Sequence, residues 1–344
     1  MSEKKIKVGI SQGNPNGIAS ELVLKTFDNQ AMYEMCTPVV YGSAKILAIH
    51  RKMMELPLVN ISNMREGDVP GNGRLNVVNV VPEDFLVEAG RLTDESVRAA
   101  DESLKRACED LKNGFVDALI TLPATSQDAA EVLFPEQKDE ALKIVLQDTL
   151  RIALATDAVP LSEVSRLLSL EKLFERIKAL QSALVHDFLI TSPRIAVLAL
   201  NPQAGQEEAD IIRPAIQKAT SGGVFCFGPF VADEFFGTDA PKKYDAILAM
   251  YHDQGMSAFQ SMTAGHGSIY TANLPFVVTA PAQGLCREKA GKNVCDPEAF
   301  RQAIYMAVKL FQNRQLDREI NKNPLKKQYF ERGSDNEKLD LTKE

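Results

Sequence analysis

Three stretches of the sequence combine residue types and spacings that could do chemistry. In Asp245-Ala-Ile-Leu-Ala-Met250-Tyr251-His252-Asp253-Gln254-Gly255 an apolar run ends abruptly in polar or polar-tipped side chains. A neutral imidazole is a common metal ligand, and an adjacent carboxylate can orient its ring. The competing reading of His252 is a structural histidine hydrogen-bonded at a strand end. Asn201-Pro202-Gln203-Ala204-Gly205 follows another apolar run and points at the same crevice, but offers only amides, which are poor metal ligands. Ser11-Gln12-Gly13-Asn14-Pro15-Asn16-Gly17-Ile18-Ala19-Ser20-Glu21 opens a helix near Ser20. Its backbone N–H groups could receive an anion; equally, Gly and Pro there could serve only a tight strand-to-helix turn. It has neither the Gly-x-Gly-x-x-Gly spacing nor the Gly-Lys-Ser/Thr ending of nucleotide loops, and the hydrolase motifs Gly-x-Ser-x-Gly and His-Glu-x-x-His are missing from the chain. His50 and His186 sit in helical patterns and His266 in a loop, where packing or surface roles are expected.

Short apolar runs must position these stretches: Ile6–Ile10, Pro38–Tyr41, Leu75–Val81, Ala118–Thr121, Arg151–Thr156, Arg194–Leu200, Ala246–Tyr251 and Phe276–Thr279. Helical patterns separate them, which predicts an α/β fold with a mostly parallel sheet and crossover helices. Ile195–Leu200 lacks polar alternation, as a central strand covered on both faces does. Ligands of such sheets bind at the carboxyl ends of the strands, where all three stretches lie. Val97, Ala100, Leu104, Ala107 and Leu111 form one helical stripe that stops at Gly114. Asp296 reads as an N-cap with Pro297 at the first helical position, ahead of a stripe of Phe300, Ile304, Ala307 and Phe311.

The chain has 344 residues, too many for one ordinary core, so two domains are expected. Hydrophobic residues make up 45% and charged residues 25%, the balance of a soluble globular protein. The net charge of −7 is spread without basic blocks, which argues against nucleic acid or an anionic membrane and for a small-molecule ligand. The charged amino terminus runs straight into a strand pattern, and a cytoplasmic location is expected. Five scattered cysteines without a Cys-x-x-Cys pair indicate neither a disulfide framework nor a zinc site.

Several motifs together resemble a known family. They are Asn14-Pro-Asn-Gly-Ile18, Leu200-Asn-Pro-Gln-Ala-Gly205, Gly228-Pro-Phe-Val-Ala-Asp233, Ala249-Met-Tyr-His-Asp-Gln-Gly255 and Leu274-Pro275. In this order they resemble the 4-hydroxythreonine-4-phosphate dehydrogenases of pyridoxal phosphate biosynthesis, over nearly the whole chain. The resemblance implies two α/β/α domains, like those of isocitrate and isopropylmalate dehydrogenases, here expected as 1–125 with 285–344 and 126–284. It also implies NAD and a divalent metal, zinc or magnesium, and a homodimer with its cleft at the subunit interface.

Transferred position by position, the resemblance implies three metal-binding histidines, of which His252 is retained. The other two positions hold Gln203 and Ala158, with Asp157 beside the latter. The implied substrate positions hold Gln137, Lys138, Gln260, Ile269 and Val278, and further family cations or imidazoles fall on Ser126 and Gln283. Asp253, Gln254 and Asn201 remain as cleft candidates. Framework residues are kept while metal ligands and phosphate-binding cations are replaced. Two functions are therefore expected to compete. One is an NAD-dependent oxidoreductase of this family whose own reaction is weak or lost. The other is a non-catalytic paralogue, acting as a binding or regulatory protein or as the heterodimer partner of an intact paralogue.

Overall fold

The computed structural model describes residues 5–65, 67–124, 128–136 and 138–323, with the backbone alone for Lys138. Twelve strands form one sheet: β1 (Lys7–Ser11), β2 (Thr37–Gly42), β3 (Ile61–Met64), β4 (Leu75–Asn79), β5 (Ala118–Thr121), β6 (Leu142–Gln147), β7 (Leu150–Leu154), β8 (Ile195–Leu198), β9 (Cys226–Phe230), β10 (Ala246–Ala249), β11 (Ser268–Ala272) and β12 (Val277–Pro281). Their spatial order is β3-β4-β2-β1-β5-β12-β11-β6-β7-β10-β8-β9. The helices are α1 (Ala19–Phe27), α2 (Met32–Met35), α3 (Ala44–Met53), α4 (Asp94–Lys112), α5 (Ala129–Leu133), α6 (Leu161–Leu167), α7 (Leu170–His186), α8 (Arg213–Ser221), α9 (Ala232–Phe236), α10 (His252–Thr263) and α11 (Glu298–Asn321).

The sheet contains two parallel blocks. From β3 to β12 every pairing is parallel, and so is every pairing from β7 to β9. Between the blocks, β12 with β11, β11 with β6, and β6 with β7 are antiparallel. Three reversals leave the blocks running in opposite directions. Their carboxyl ends therefore lie at opposite edges of the sheet, and so do the loops that follow β1 and those that follow β7, β8 and β10.

Helices cover both faces, so the strands are buried on both. In β2, Val40 packs into the core on one face, and Val39 and Tyr41 into the core on the other. All eight apolar runs that predict strands form them. The run at Ile195 is fully buried, but β8 lies next to the edge strand β9 and not at the sheet centre. β3, β6, β9 and β11 were not expected. β9 carries Gly228 and Pro229, which obscure a strand pattern.

α4 begins with a capping box between Thr93 and Ser96, and the chain leaves it through Gly114 at φ 71. The expected stripe faces inward at Ala100, Leu104, Ala107 and Leu111. α11 starts one residue later than expected: Pro297 is its N-cap, while Asp296 Oδ1 accepts the N–H of Glu298 at 2.9 Å. Phe300, Ile304 and Ala307 are fully buried and seat α11 against β12, β5 and β11. Arg314 fastens the helix further, donating to Asp187 at 2.6 Å and to the Tyr270 hydroxyl at 2.6 Å. Among the described residues no helix is long and apolar enough to cross a membrane.

Candidate functional site

β7, β10 and β8 are parallel neighbours, so the turns that leave them meet at one edge of the sheet. These turns are Thr156-Asp157-Ala158, Met250–Gly255 and Asn201–Gly205, the stretches to which the sequence points. A ladder of hydrogen bonds locks them together. Ala155 N–H donates to Ala249 O at 2.8 Å, and Thr156 Oγ1 donates to Met250 O at 2.9 Å. Gln254 spans the other side: its Oε1 accepts Met250 N–H at 2.8 Å and its Nε2 donates to Ala199 O at 2.7 Å. Beneath it, a Cβ on Gly255 would stand 2.6 Å from Leu154 Cδ2 and 3.2 Å from Ala249 Cβ, so a larger residue there would have to displace the Leu154 side chain or lift α10 from the strands.

The Tyr-His-Asp-Gln-Gly string thus divides in two. Gln254 and Gly255 are framework, whereas His252 and Asp253 open α10 with side chains 40% and 83% exposed. His252 Nδ1 lies 2.8 Å from Asp253 Oδ1, which leaves Nε2 as the other ring nitrogen for a ligand.

A buried carboxylate organises the neighbouring turn. Glu208, 1% exposed, accepts the N–H groups of Leu200 at 2.9 Å, Asn201 at 2.8 Å and Gly205 at 2.7 Å. The Asn201 amide adds a contact at 3.1 Å. Burial pushes the Glu208 carboxyl up, but these donors outweigh it and hold it below its ordinary range. Asn201 is therefore occupied in shaping the turn, and Gln203 projects from it exposed. Nothing in the sequence pattern marked Glu208, because its partners are backbone groups.

Beside the β7 turn lies a cleft of about 940 Å³, bounded by β6, α5, α7 and the turn at Asp139–Ala141. On its wall Lys143 Nζ bridges Asp128 Oδ2 at 2.8 Å and Asp157 Oδ1 at 3.3 Å. Burial pulls the Lys143 ammonium down, yet the two carboxylates prevail and keep it above the ordinary lysine range. Asp128 also caps α5, accepting Ala130 N–H at 2.9 Å. Lys143 and Asp128 were missed in the sequence, since no local spacing links three residues on three different elements.

The remaining expected positions are scattered. Ala158 is exposed beside Asp157. Gln260 sits on α10 and donates to Ala282 O at 3.0 Å. Ile269 is packed on β11, and Val278, 2% exposed, is sealed in the core. Lys138 opens a 3-10 turn; Gln137 and Ser126 lie outside the described residues. Gln283 follows β12 at the opposite edge of the sheet, its Oε1 buried without a partner. This donor set does not fit a divalent metal: among the described residues no three His, Cys, Asp or Glu side chains are placed to hold one.

The turn after β1 is different in kind. Gln12, Asn14, Asn16 and Ser20 are all buried and spend their polar atoms on one another and on nearby backbone. Asn14 accepts Asn16 N–H at 2.9 Å and donates to Ser96 Oγ at 3.1 Å, while Gln12 accepts Ser43 N–H at 2.7 Å. His50, fully buried, holds Pro15 O at 2.7 Å, and burial lowers its pKa. Gly13, at φ 64, leaves no room for a Cβ against the Pro123 carbonyl. This geometry supports the tight-turn reading of the loop over anion binding.

Comparison with known proteins agrees with these motifs. The family model described as pyridoxal phosphate biosynthetic protein PdxA matches residues 34–307. A 4-hydroxythreonine-4-phosphate dehydrogenase of Bacteroides thetaiotaomicron is 38% identical, over 99% of this chain and 98% of its own length. One from Sulfurihydrogenibium is 31% identical, over 89% of this chain and 98% of its own. Among solved structures, a 4-hydroxythreonine-4-phosphate dehydrogenase from Klebsiella pneumoniae superposes with a TM-score of 0.74 at 23% identity, covering 91% of this chain and all of that one, which shows the fold.

Proposed function

Because the chain belongs to the PdxA family of pyridoxal phosphate biosynthetic proteins, we propose that it is a small-molecule-binding member whose dehydrogenase reaction on 4-hydroxythreonine 4-phosphate is weak or absent. One observation carries this reading: the edge formed by β7, β10 and β8 has kept its framework and lost its donors. Gln254, Gly255 and Glu208 lock the turns together, while Gln203 and Ala158, at positions where the family resemblance implies metal-binding histidines, are exposed. A divalent ion would polarise the oxygen being oxidised, and one imidazole does not hold such an ion tightly. Phosphate binding is depleted as well. Val278 is sealed in the core and Gln260 is tied to a carbonyl, and each lost charge-assisted contact is worth about 1.5–3 kcal/mol.

The test is the appearance of NADH with 4-hydroxythreonine 4-phosphate in the presence of zinc or magnesium. Two lost contacts of that size lower kcat/KM by about a hundred- to ten-thousandfold relative to an intact relative. A metal-dependent rate equal to the relative's would refute the reading. A thermal shift with NAD alone reports separately on whether the dinucleotide still binds.

A second reading rests on His252. The 40% exposure of its side chain supports the reading that it completes a metal site with an intact paralogue. Co-expression with such a paralogue, followed by metal analysis of the purified mixed dimer, tests this. No mixed dimer, or a mixed dimer whose metal content is unchanged in H252A, rejects it.

A further inference from the structure

We propose that a groove along α7 is a docking surface for the chain's own carboxyl-terminal segment, residues 324–344, which lies outside the described residues. The inference goes beyond the proposed function and does not depend on whether the dehydrogenase reaction survives.

The cleft beside β7 is one part of this groove. A smaller cavity of about 270 Å³ lies between α7, α11 and the turn that joins β11 to β12. Ala179, Ser182 and Asn273 line both, so the two adjoin. On the wall facing α7, Asn273 Nδ2 donates to Glu140 O at 3.1 Å and ties the two parts together. The groove follows the chain from Leu168, just before α7, to His186. At 1.5 Å per helical residue that is about 27 Å, room for roughly eight residues of extended chain.

α11 delivers the carboxyl-terminal segment to one end of the groove. Arg314 lines the smaller cavity, and Asp317, three residues on, meets His186 Nδ1 at 3.2 Å. Asn321 donates to Asp317 at 3.0 Å, so the last turn of α11 stands at the rim. Residues 324–344 follow almost at once, and when extended they span up to about 70 Å, more than twice the groove.

Charge and apolar surface are complementary. The larger cavity presents seven carboxylates to four cations. Three of those cations already have acidic neighbours: Lys143 bridges Asp128 and Asp157, Lys178 pairs with Glu175 at 3.6 Å, and Arg176 lies near Asp157 and Asp139. The excess is negative, with Glu140 and Glu171 exposed. The first part of the segment, Pro324–Gly333, sets Lys326, Lys327 and Arg332 against Glu331 alone. Leu325, Tyr329 and Phe330 supply apolar side chains for the floor of the cleft, where Ala141, Val159, Leu167 and Ala179 are half-buried. Tethering at the rim raises the effective concentration of the segment, so modest contacts are enough.

The experiment places a photo-crosslinker in the full chain, Tyr329→p-benzoylphenylalanine, and maps the irradiated products by gel and mass spectrometry. A crosslink within one chain is expected, to Asp139–Lys143 or to α7 between Glu171 and His186. Reversing charge on either side, K326E/K327E or E140K/E171K, lowers its yield at least about twofold, and combining the two pairs restores it. Circular dichroism checks that each variant is folded; K326E/K327E alters only the segment, so this arm stands even where E140K/E171K does not fold. No crosslink, crosslinks only outside the groove, or a yield unchanged in K326E/K327E overturns the proposal. A crosslink between two chains also overturns it, because the groove would then receive a second copy. No NAD, substrate or NADH readout enters the experiment, so this proposal and the proposed function fail independently.

Discussion

The turn after β1 and the turns after β8 and β10 are built from the same kind of residue, asparagine, glutamine, proline and glycine following a buried strand, yet they end in opposite states. In the first, every amide singled out is buried and bonded within the loop or to nearby elements. In the second, Gln254, Asn201 and Glu208 are bonded, while His252, Asp253 and Gln203 leave their side chains exposed or half-exposed. Internal satisfaction of polar atoms therefore separates a structural loop from one that can receive a ligand, and residue type alone does not.

Removing a bonded residue from the closed turn should give the largest effect. Asn14→Ala strands the buried Asn16 N–H and takes a donor from Ser96, and should cost about 3 kcal/mol in urea unfolding. A loss below about 1 kcal/mol would break the comparison, since the turn would then not depend on its internal bonds.

Glu208→Gln attacks the one part of the open edge that is equally closed. An amide cannot accept from Leu200, Asn201 and Gly205 together, and about 2 kcal/mol should be lost at neutral pH. Because the folded carboxyl is held below its ordinary range, its contribution is present above the unfolded value of about 4.3 and disappears as pH falls below it. Wild type and E208Q should therefore converge in stability on acidification; a gap that stays constant with pH would show that charge is not involved.

Gly255→Ala should cost about 1 kcal/mol net. Overpacking against Leu154 and Ile152, about 1–3 kcal/mol, exceeds the roughly 1 kcal/mol alanine gains over glycine in a helix. A stabilised variant would mean that α10 can lift from the strands freely. His252→Ala, on the exposed side of the same motif, should change stability by less than about 0.5 kcal/mol. A larger loss would reclassify His252 as framework.

Much of the fold was legible because strands covered on both faces are written as largely apolar runs, unbroken in β8 and β10 and with polar residues only at the ends in β1 and β2. The antiparallel centre was not. β6 turns back on β7 and β11 on β12 as antiparallel hairpins, but β6 and β11 meet each other only across a long stretch of sequence, and β6 carries a lysine that a strand pattern does not anticipate. The candidate site was legible as an edge, since each motif follows a strand that the pattern finds. What each residue does there was not, because Gln254, Gly255 and Glu208 act through backbone atoms, and Lys143 joins carboxylates that only the folded chain brings together.

The place of β12 in the sheet has a consequence for synthesis. β5 ends at residue 121, and its neighbour on that side is residues 277–281, with β11 and β6 following beyond them. On a ribosome the first parallel block therefore emerges with an open edge at β5 that stays unpaired while the whole second block is made, and pairing across so long a separation is slow. An exposed parallel edge of this kind invites association between nascent chains. Shortening the chain to end before residue 277 should leave β5 uncovered and turn a delay in folding into aggregation, visible as loss of the protein from the soluble fraction.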